Sequence, residues 1–569
     1  MKEIFYMQAG TLPNFVGTHF WNTQESYFQY DGDADADEAD EPEINHDISF
    51  REGLSPKGDP TFCPRVLIFD RKANFGSLSS FGALYTDDDD ERATVAGPQW
   101  FVESYFDSTA THLTNHGRDG SVVEYKQGTI EKSRYHEQLE EELLFAPSDG
   151  QDHDPTQPDP SMVDGSTVRY WSDYNRVDFH PRSIQKLPDL PDWDLGTGNW
   201  VAGKETFERY NNQDGHSLMD DSVRLFVEEC DSLQGLQVSS EAATFGSFSH
   251  SFLSAFRDDF PKLPILHFQF LAEPNPQSID LDSAVSNFFF HNLRLTILLQ
   301  ARLRTALNDA LCIVGAEELD TINVPILPQS LWGLGKNYDT FQSSALVSAH
   351  IESVTLPMRM KRGLESMSGV LNQLNWRNDT RFIQLSGLLP VESLSPLQDG
   401  VVNFSATTNV SDKQDAVYSR RDVTRGFTPG QIASYEKWLE SGTRTHGPLE
   451  SKHTLPYPLP TSFPRSLIPL QSIRPRQPKG IFSRSPSTTV LSSLTTTPNT
   501  GSLLRGYATF VENFVKRKLD LESVIGAGIE MDDVRELHSE LWTVADNYGG
   551  GGSGGGAGEC GSDEGENEY

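Results

Sequence analysis

MKEIFYMQAGTLPNFVG, residues 1–17, is the stretch on which the fold turns. Glu3–Met7 is an apolar run rich in aromatic residues; Gly10, Pro13 and Asn14 break it, and a second apolar stretch follows. This pattern predicts a strand, a tight loop and a helix. In doubly wound α/β folds the loop after the first strand is a ligand position, because amides at the following helix start can face an anion. The spacing of Gln8, Gly10, Asn14 and Gly17 makes this loop the first candidate for holding a nucleotide.

At 569 residues the chain exceeds one compact core and predicts two or three domains. Only 36% of the residues are hydrophobic, which points to folded domains diluted by long polar insertions. Half of the net charge of −36 comes from three runs without Lys or Arg, namely Asp31–Glu43, Asp87–Glu91 and Gly549–Tyr569, with eight, five and five acids. The first two runs and the Pro/Asp-rich segment Pro147–Asp164 are expected to be surface excursions, and the last a disordered Gly-rich acidic tail. Such acidity repels phosphate backbones, so no direct nucleic-acid partner is expected. The exception is local. Between Tyr457 and Arg505 there is no acid, and Arg465, Arg474, Arg476, Lys479, Arg484 and Arg505 lie among prolines and serines. That stretch reads as a solvated linker or long loop; its functional alternative is contact with acidic lipid headgroups or an acidic protein.

Cys63, Cys230, Cys312 and Cys560 lie far apart with no C-x-x-C pair, which fits a reducing compartment and predicts no metal site. No run approaches the ~18 to 20 apolar residues that cross a bilayer. The richest, Val285–Leu299, is broken by Asn287, His291, Asn292 and Arg294 and reads as a buried helix, with His291 as a core residue. The N-terminus resembles neither a secretory signal nor a transit peptide.

Strand-like runs at Glu3–Met7, Arg65–Phe69 and Leu263–Leu271 alternate with helical periodicity at Ser217–Leu233 and Phe245–Phe256. The alternation predicts an α/β fold, a doubly wound parallel sheet covered on both faces. Apolar spacing over Ser283–Leu311 predicts one long central helix, a second helix starts at Thr428-Pro429, and a helical region closes the fold. The expected division is residues 1–115, with an acidic insertion at 31–50; 116–310, ending in the central helix; and 311–455, an intermediate α+β domain. A basic loop at 456–502, a helical region at 503–548 and the tail at 549–569 follow.

Gly198-Asn-Trp-Val-Ala-Gly203-Lys204-Glu205 nearly matches a phosphate loop, but Glu205 replaces the hydroxyl that would hold magnesium, and no strand precedes it. No serine-hydrolase elbow follows a strand and no H-E-x-x-H is present, so no catalytic residue is expected from those chemistries.

Four ordered segments nevertheless form a pattern. The Gln8–Gly17 loop resembles the Q-A-G-Q-C-G-N-Q-I-G loop of tubulins, Cys63-Pro-Arg-Val-Leu-Ile-Phe-Asp70 resembles P-R-A-V-x-V-D-L-E, Gly198–Gly203 resembles N-N-Y-A-R-G, and Cys230–Gln237 resembles C-D-C-L-Q-G-F-Q. Asn14-Phe-Val-Gly-Thr-His-Phe-Trp-Asn22, Trp171-Ser-Asp-Tyr174 and His180-Pro-Arg-Ser183 resemble the Misato family, whose fungal members are called Dml. The resemblance covers roughly residues 1–310. It implies a tubulin-like nucleotide-binding fold and a role in partitioning mitochondria and inheriting mitochondrial DNA, at the mitochondrial periphery and in the cytoplasm. The implied partners are cytoskeletal, chaperonin or mitochondrial surface proteins, with peripheral membrane contact and no transmembrane segment.

The nucleotide site itself is expected to be vestigial. Tubulins cradle phosphates with G-G-G-T-G-S-G, because only glycine lets the backbone approach so closely. After Gln237 this chain reads Val-Ser-Ser-Glu241-Ala-Ala-Thr-Phe245-Gly246-Ser-Phe248-Ser, where Gly246 alone remains, the two phenylalanines are expected to fill the phosphate space and Glu241 adds repulsion. Pro13 removes an amide donor from the first loop, and Arg71 stands where tubulins have glutamate. Gln8, Gly10, Asn14, Asp70, Asn199 and Gly246 are the residues through which a nucleotide would be held. Their structural alternative gives Gly10 and Gly17 to turns and packing, Asn14 to a helix cap and Asp70 to a strand end. The expected function is non-enzymatic docking with no cofactor; the alternatives are a GTP-binding switch or polymer-forming protein, and a tubulin-folding cofactor that engages chaperonin.

Overall fold

The computed structural model describes residues 2–28, 43–54, 60–76, 133–144, 163, 165–188, 198–212, 217–281, 293–391, 400–406, 417–442, 446–475, 485–517 and 529–549. Most of the acidic insertion, the run at 87–91, nearly all of Pro147–Asp164, His291 and residues 550–569 lie outside these residues.

Strand β1 (Glu3–Ala9) is followed by a hairpin of β2 (Phe50–Leu54) and β3 (Pro60–Pro64), then by β4 (Val66–Arg71), β5 (Ile184–Leu187), β6 (Leu233–Glu241), β7 (Ile265–Phe270) and β8 (Ile322–Ile326). Apart from the hairpin these strands form one sheet in the order β5-β4-β1-β6-β7-β8, with every pairing parallel. All seven residues of β1 are buried. Ile4 and Tyr6 enter one core with Trp21 and Ile68, while Phe5, Met7 and Ala9 enter the opposite one with Phe226 and Phe248. A strand covered on both faces has no polar side, which is why β1 reads as a continuous apolar run.

The helices are α1 (Thr11–Glu25), α2 (Arg134–Leu144), α3 (Trp200–Asn211), α4 (Arg224–Glu228), α5 (Ala242–Asp259), α6 (Leu293–Glu318), α7 (Thr340–Thr355) and α8 (Met367–Leu374). Helices α1 and α7 pair on one face of the sheet, and α5 covers the other with α3 and α6 against it. Helices α5 and α6 approach closely because a glycine of each lies under a side chain of the other. A Cβ on Gly246 would overlap Cys312 Sγ, and one on Gly315 would overlap the His250 ring.

Three sequence expectations are corrected. Ser217–Leu233 is not one helix: a π-helical turn at Leu218–Val223 leads into α4, and Leu233 opens the strand β6. Its apolar run is interrupted by Gln237, Ser239 and Ser240, which are buried between β1 and β7, so its strand character is masked. The central helix is described from Leu293 and runs to Glu318, and β8 beyond it joins the first sheet, so a boundary at 310 cuts through both.

Nor is 456–502 a linker. Strands β9 (Gln384–Leu388), β10 (Val402–Asn403), β11 (Ser419–Arg425), β12 (Leu449–Thr454) and β15 (Val490–Thr496) build a second sheet in the order β10-β9-β15-β11-β12, and β13 (Tyr457–Pro458) pairs with β14 (Ser487–Thr488). Helix α9 (Pro429–Gly442) connects β11 to β12. All seven residues of β15 are buried, and it pairs antiparallel with both β9 and β11. Tyr457, Leu459, Phe463 and Ile468 form a core with Ala345 and Ala349 of α7. The serines and threonines of β15 hide this centrality, because their burial depends on ladder pairing and not on apolar character. The helical end of the chain is α10 (Thr500–Arg517) and α11 (Met531–Asp546), which pack on each other and on α6.

Helix α7 lies between α1 and the strands β11 and β15 and is buried over Phe341 and Ser343–Thr355. It carries Glu352, fully buried, whose carboxylate accepts from Arg425 Nη1 (2.5 Å), Gln24 Nε2 (2.9 Å), Tyr27 OH (3.1 Å) and Arg359 Nη2 (3.4 Å). Arg425 also donates to the carbonyls of Leu455 and Pro456 at 2.8 and 3.1 Å. Removing one partner from a buried ionic group strands the others without solvent and costs about 3–5 kcal/mol. Glu352→Ala is expected to lower unfolding stability by that amount, measured by urea denaturation; a change below about 1 kcal/mol would show the cluster to be inert.

Candidate functional site

From β1 the chain moves outward to β4 and β5 and then returns to β6 on the other flank, so the winding reverses between β1 and β6. Ligands of such sheets sit at the carboxyl ends of the strands beside this reversal. The ends that meet there belong to β1, β4 and β6 and carry Gly10, Asp70 and Glu241.

Gly10 is the N-cap of α1, with φ 108°, a conformation that disfavours any residue with a Cβ. Its N–H donates to Phe69 O at 3.1 Å, and its carbonyl accepts from Asn14 N at 3.0 Å. A Cβ here would lie 2.8 Å from Glu241 Cβ and 2.9 Å from Glu241 Oε2. The Glu241 carboxylate therefore occupies the space against the loop, beside the backbone N–H of Thr11.

Asp70 is fully buried and saturated by protein donors. Its Oδ2 accepts from Asn14 Nδ2 (3.0 Å) and Trp171 Nε1 (3.1 Å), and its Oδ1 from Asn74 Nδ2 (2.7 Å) and the Arg71 amide (2.8 Å). Asn14 also donates to Phe69 O, so it ties α1 to β4 instead of capping the helix. Asn74 continues the chain of contacts to Thr11 Oγ1 at 2.9 Å.

Gly10, Asn14 and Asp70 are thus brought together, whereas the other expected site residues are engaged in separate contacts. Gln8 lies on the face beneath α1, its amide against Gly17. Asn199 caps α3, its Oδ1 accepting from the amides of Val201 (3.0 Å) and Ala202 (3.2 Å). The preceding Gly198 donates to Ala243 O at 2.7 Å, and Asn308 of α6 donates to both Gly198 O and Ala243 O. Gly246 serves the α5–α6 packing. Phe248 does not fill phosphate space: in the core its ring lies tilted against Phe69 and edge-on to Phe207. The Phe245 ring comes near the loop, 3.3 Å from a Cβ built on Gly10.

The sequence reading missed Asn74 and Trp171 as partners of Asp70. Trp171 is 101 residues away, and its one signal is the Trp171-Ser-Asp-Tyr174 motif. It also missed Asp309 of α6, which accepts from the amides of Ala272 (3.1 Å) and Glu273 (2.8 Å) and from Tyr507 OH (3.1 Å).

Burial, and after it the charge of Asp70, pushes the Glu241 carboxyl up to about 7, while Thr244 and the Thr11 amide pull it down. Burial likewise pushes Asp309 up to about 7 and raises Asp70 against its four hydrogen bonds. A nucleotide phosphate placed at the start of α1 would meet the Glu241 carboxylate in its path and Asp70 behind it, so the residues present do not fit that group. Among the described residues no cluster of three or more His, Cys, Asp or Glu is arranged to hold a metal ion, and no helix is long and apolar enough to cross a membrane.

This sheet and its site define a tubulin-like protein: a tubulin domain matches residues 160–360, and a Misato Segment II tubulin-like domain matches residues 2–141. Protein DML1 of Gibberella zeae is 32% identical over 449 residues, 76% of each chain. Protein dml1 of Aspergillus niger is 28% identical over 567 residues, 95% of this chain and 98% of its own. Protein misato of Drosophila melanogaster is 30% identical over 378 residues, 64% of this chain and 61% of its own. The chain belongs to the Misato/Dml family.

The buried groups set an acid limit on the fold. His19 and His350 are pushed down to about 3, and His46, His180 and His267 to about 4, chiefly by burial. Each is neutral in the fold but protonates near ~6.5 when unfolded, so its contribution is present above that pH and lost as pH falls toward 4. Glu241 and Asp309 act in the opposite sense, their folded forms holding protons up to about 7. Asp70, Asp178, Glu317 and Glu540 are also raised and His250 is also lowered, but the largest shifts, those of the five histidines against the two carboxyls, give a net loss on acidification. The urea midpoint is expected to fall steadily from about pH 6.5 to about pH 4.5; a flat or rising profile would contradict these burial effects.

Proposed function

We propose that this protein is a non-enzymatic, tubulin-like docking protein that acts in the partitioning of mitochondria and the inheritance of mitochondrial DNA. The observation that supports this reading is the pair of acids, Glu241 and Asp70, at the winding reversal, where a nucleotide-driven relative would need a cradle of amides. Under this reading no GTP is bound or hydrolysed, and the sheet scaffold presents surfaces to cytoskeletal, chaperonin or mitochondrial partners. Family membership supports the mitochondrial role. Thermal unfolding with and without millimolar GTP or GDP and magnesium, with ATP as control, tests the proposal. No guanine-specific shift is expected, whereas a nucleotide at ~100 times its dissociation constant would add ~2.7 kcal/mol and overturn it in favour of a GTP-binding switch.

Mitochondrial association is proposed to use the basic stretch at its periphery, with the remainder of the protein in the cytoplasm. Arg474 donates to Gly426 O at 2.6 Å, so it serves the fold and is spared. Arg476 and Lys479, outside the described residues, are the ones to reverse. The double change Arg476→Glu and Lys479→Glu is expected to shift the protein from the mitochondrial to the soluble fraction at unchanged unfolding temperature; unchanged fractionation would remove the basic stretch from the mechanism.

A further inference from the structure

A helix that begins at a glycine has no side chain of its own to receive its first amides. Helix α1 begins at Gly10, has no side-chain cap and carries no acid in its first turn. Pro13 has no N–H, and the Asn14 amide is taken by Gly10 O. That leaves the amides of Thr11 and Leu12 at the positive end of a fifteen-residue helix, beside the reversal of the sheet. Such an end calls for an anion. The one that meets it comes from the last residue of β6, which Gly10 admits to within reach because it has no Cβ.

We propose that the Glu241 carboxylate is an internal substitute for a bound phosphate, latching β6 onto the start of α1 and closing the tubulin-like site from within. The proposal rests on the reading that this site holds no nucleotide, and it adds what holds the loops together instead. The groups around the carboxylate fit a latch. Its Oε2 lies 2.9 Å from where a Cβ on Gly10 would stand, beside the Thr11 amide, Asp70 stands behind as a like charge but is consumed by its own four donors, and the Phe245 ring approaches the same spot. A half-buried carboxylate set there for no purpose would be a net burden, because its partial desolvation would go unanswered. The latch instead gives it a helix end to neutralise.

The two accounts predict opposite signs. In the full-length protein at about pH 8, above the titration of Glu241, Glu241→Gln keeps the shape and removes the charge. If the charge caps the helix, the unfolding temperature falls by a few degrees. If the half-buried charge is a burden, the temperature rises, and the proposal is overturned. Glu241→Ala additionally opens the space. Millimolar inorganic phosphate or pyrophosphate, against chloride at equal ionic strength, is expected to restore part of its lost unfolding temperature while leaving the wild-type protein unmoved. A restoration equal in wild type and variant, or none in a folded Glu241→Ala protein, would overturn the latch. If Glu241→Ala folds only with phosphate present, the proposal is supported; if it folds in neither buffer, the sign of the Glu241→Gln shift decides. These readouts use no nucleotide. A guanine-specific shift in the wild type would overturn the proposed function, while a rise in the Glu241→Gln protein would overturn the latch alone.

Discussion

A single carboxylate without access to water binds the two halves of this molecule. Glu352 sits on a helix that touches the first sheet's covering helix on one side and the second sheet on the other, and it can be there only because arginines from two separate segments meet it. Arg425 reaches it from β11, Arg359 from the turn after α7, and Tyr27 and Gln24 from the end of α1. The cluster carries more positive than negative charge, so the phenol of Tyr27 and the carbonyls of Leu455 and Pro456 complete it. The relative placement of the N-terminal α/β unit and the second sheet follows from satisfying these groups together.

The same logic, applied at the carboxyl edge of the first sheet, gives the site its character. A tubulin-like scaffold concentrates loop ends and a helix start at one place, which normally draws a negative ligand. In this chain the negative charge is supplied by the protein. Asp70 is consumed by Asn14, Asn74, Trp171 and a backbone amide, and Glu241 lies against the start of α1. The geometry of a binding fold persists while its polar capacity is spent internally. That combination is what the docking role proposed above requires.

Much of the first sheet was legible because its strands are apolar on both faces: β1, β4 and β7 each appear as runs in the sequence. Strand β6 was not, since half of its buried residues are Gln and Ser whose burial is made tolerable by neighbours on both sides. Strand β15 was misread for the same reason, compounded by the prolines and arginines around it. At the site, sequence reasoning named Gly10, Asn14 and Asp70 as neighbours and anticipated Glu241 as a repulsive charge. It could not place Trp171 against Asp70, because their separation is closed only by the tertiary fold. It also assigned Asn199 and Gly246 to ligand contact when a helix cap and a helix crossing account for them. Local capping and close packing use the same residue types as phosphate loops, so composition alone does not tell them apart.

The position of β15 has a consequence for how the chain is made. The strand that occupies the middle of the second sheet is the last of its members to leave the ribosome, roughly 100 residues after β9 and roughly 65 after β11, which at ~5–20 residues per second is an interval of seconds. Throughout it, β9 and β11 each present an unpaired edge toward the space that β15 will fill, and such edges recruit other strands. The nascent protein therefore passes through an obligatory open-sheet stage, and its yield in the cell depends on what shields those two edges until the centre arrives.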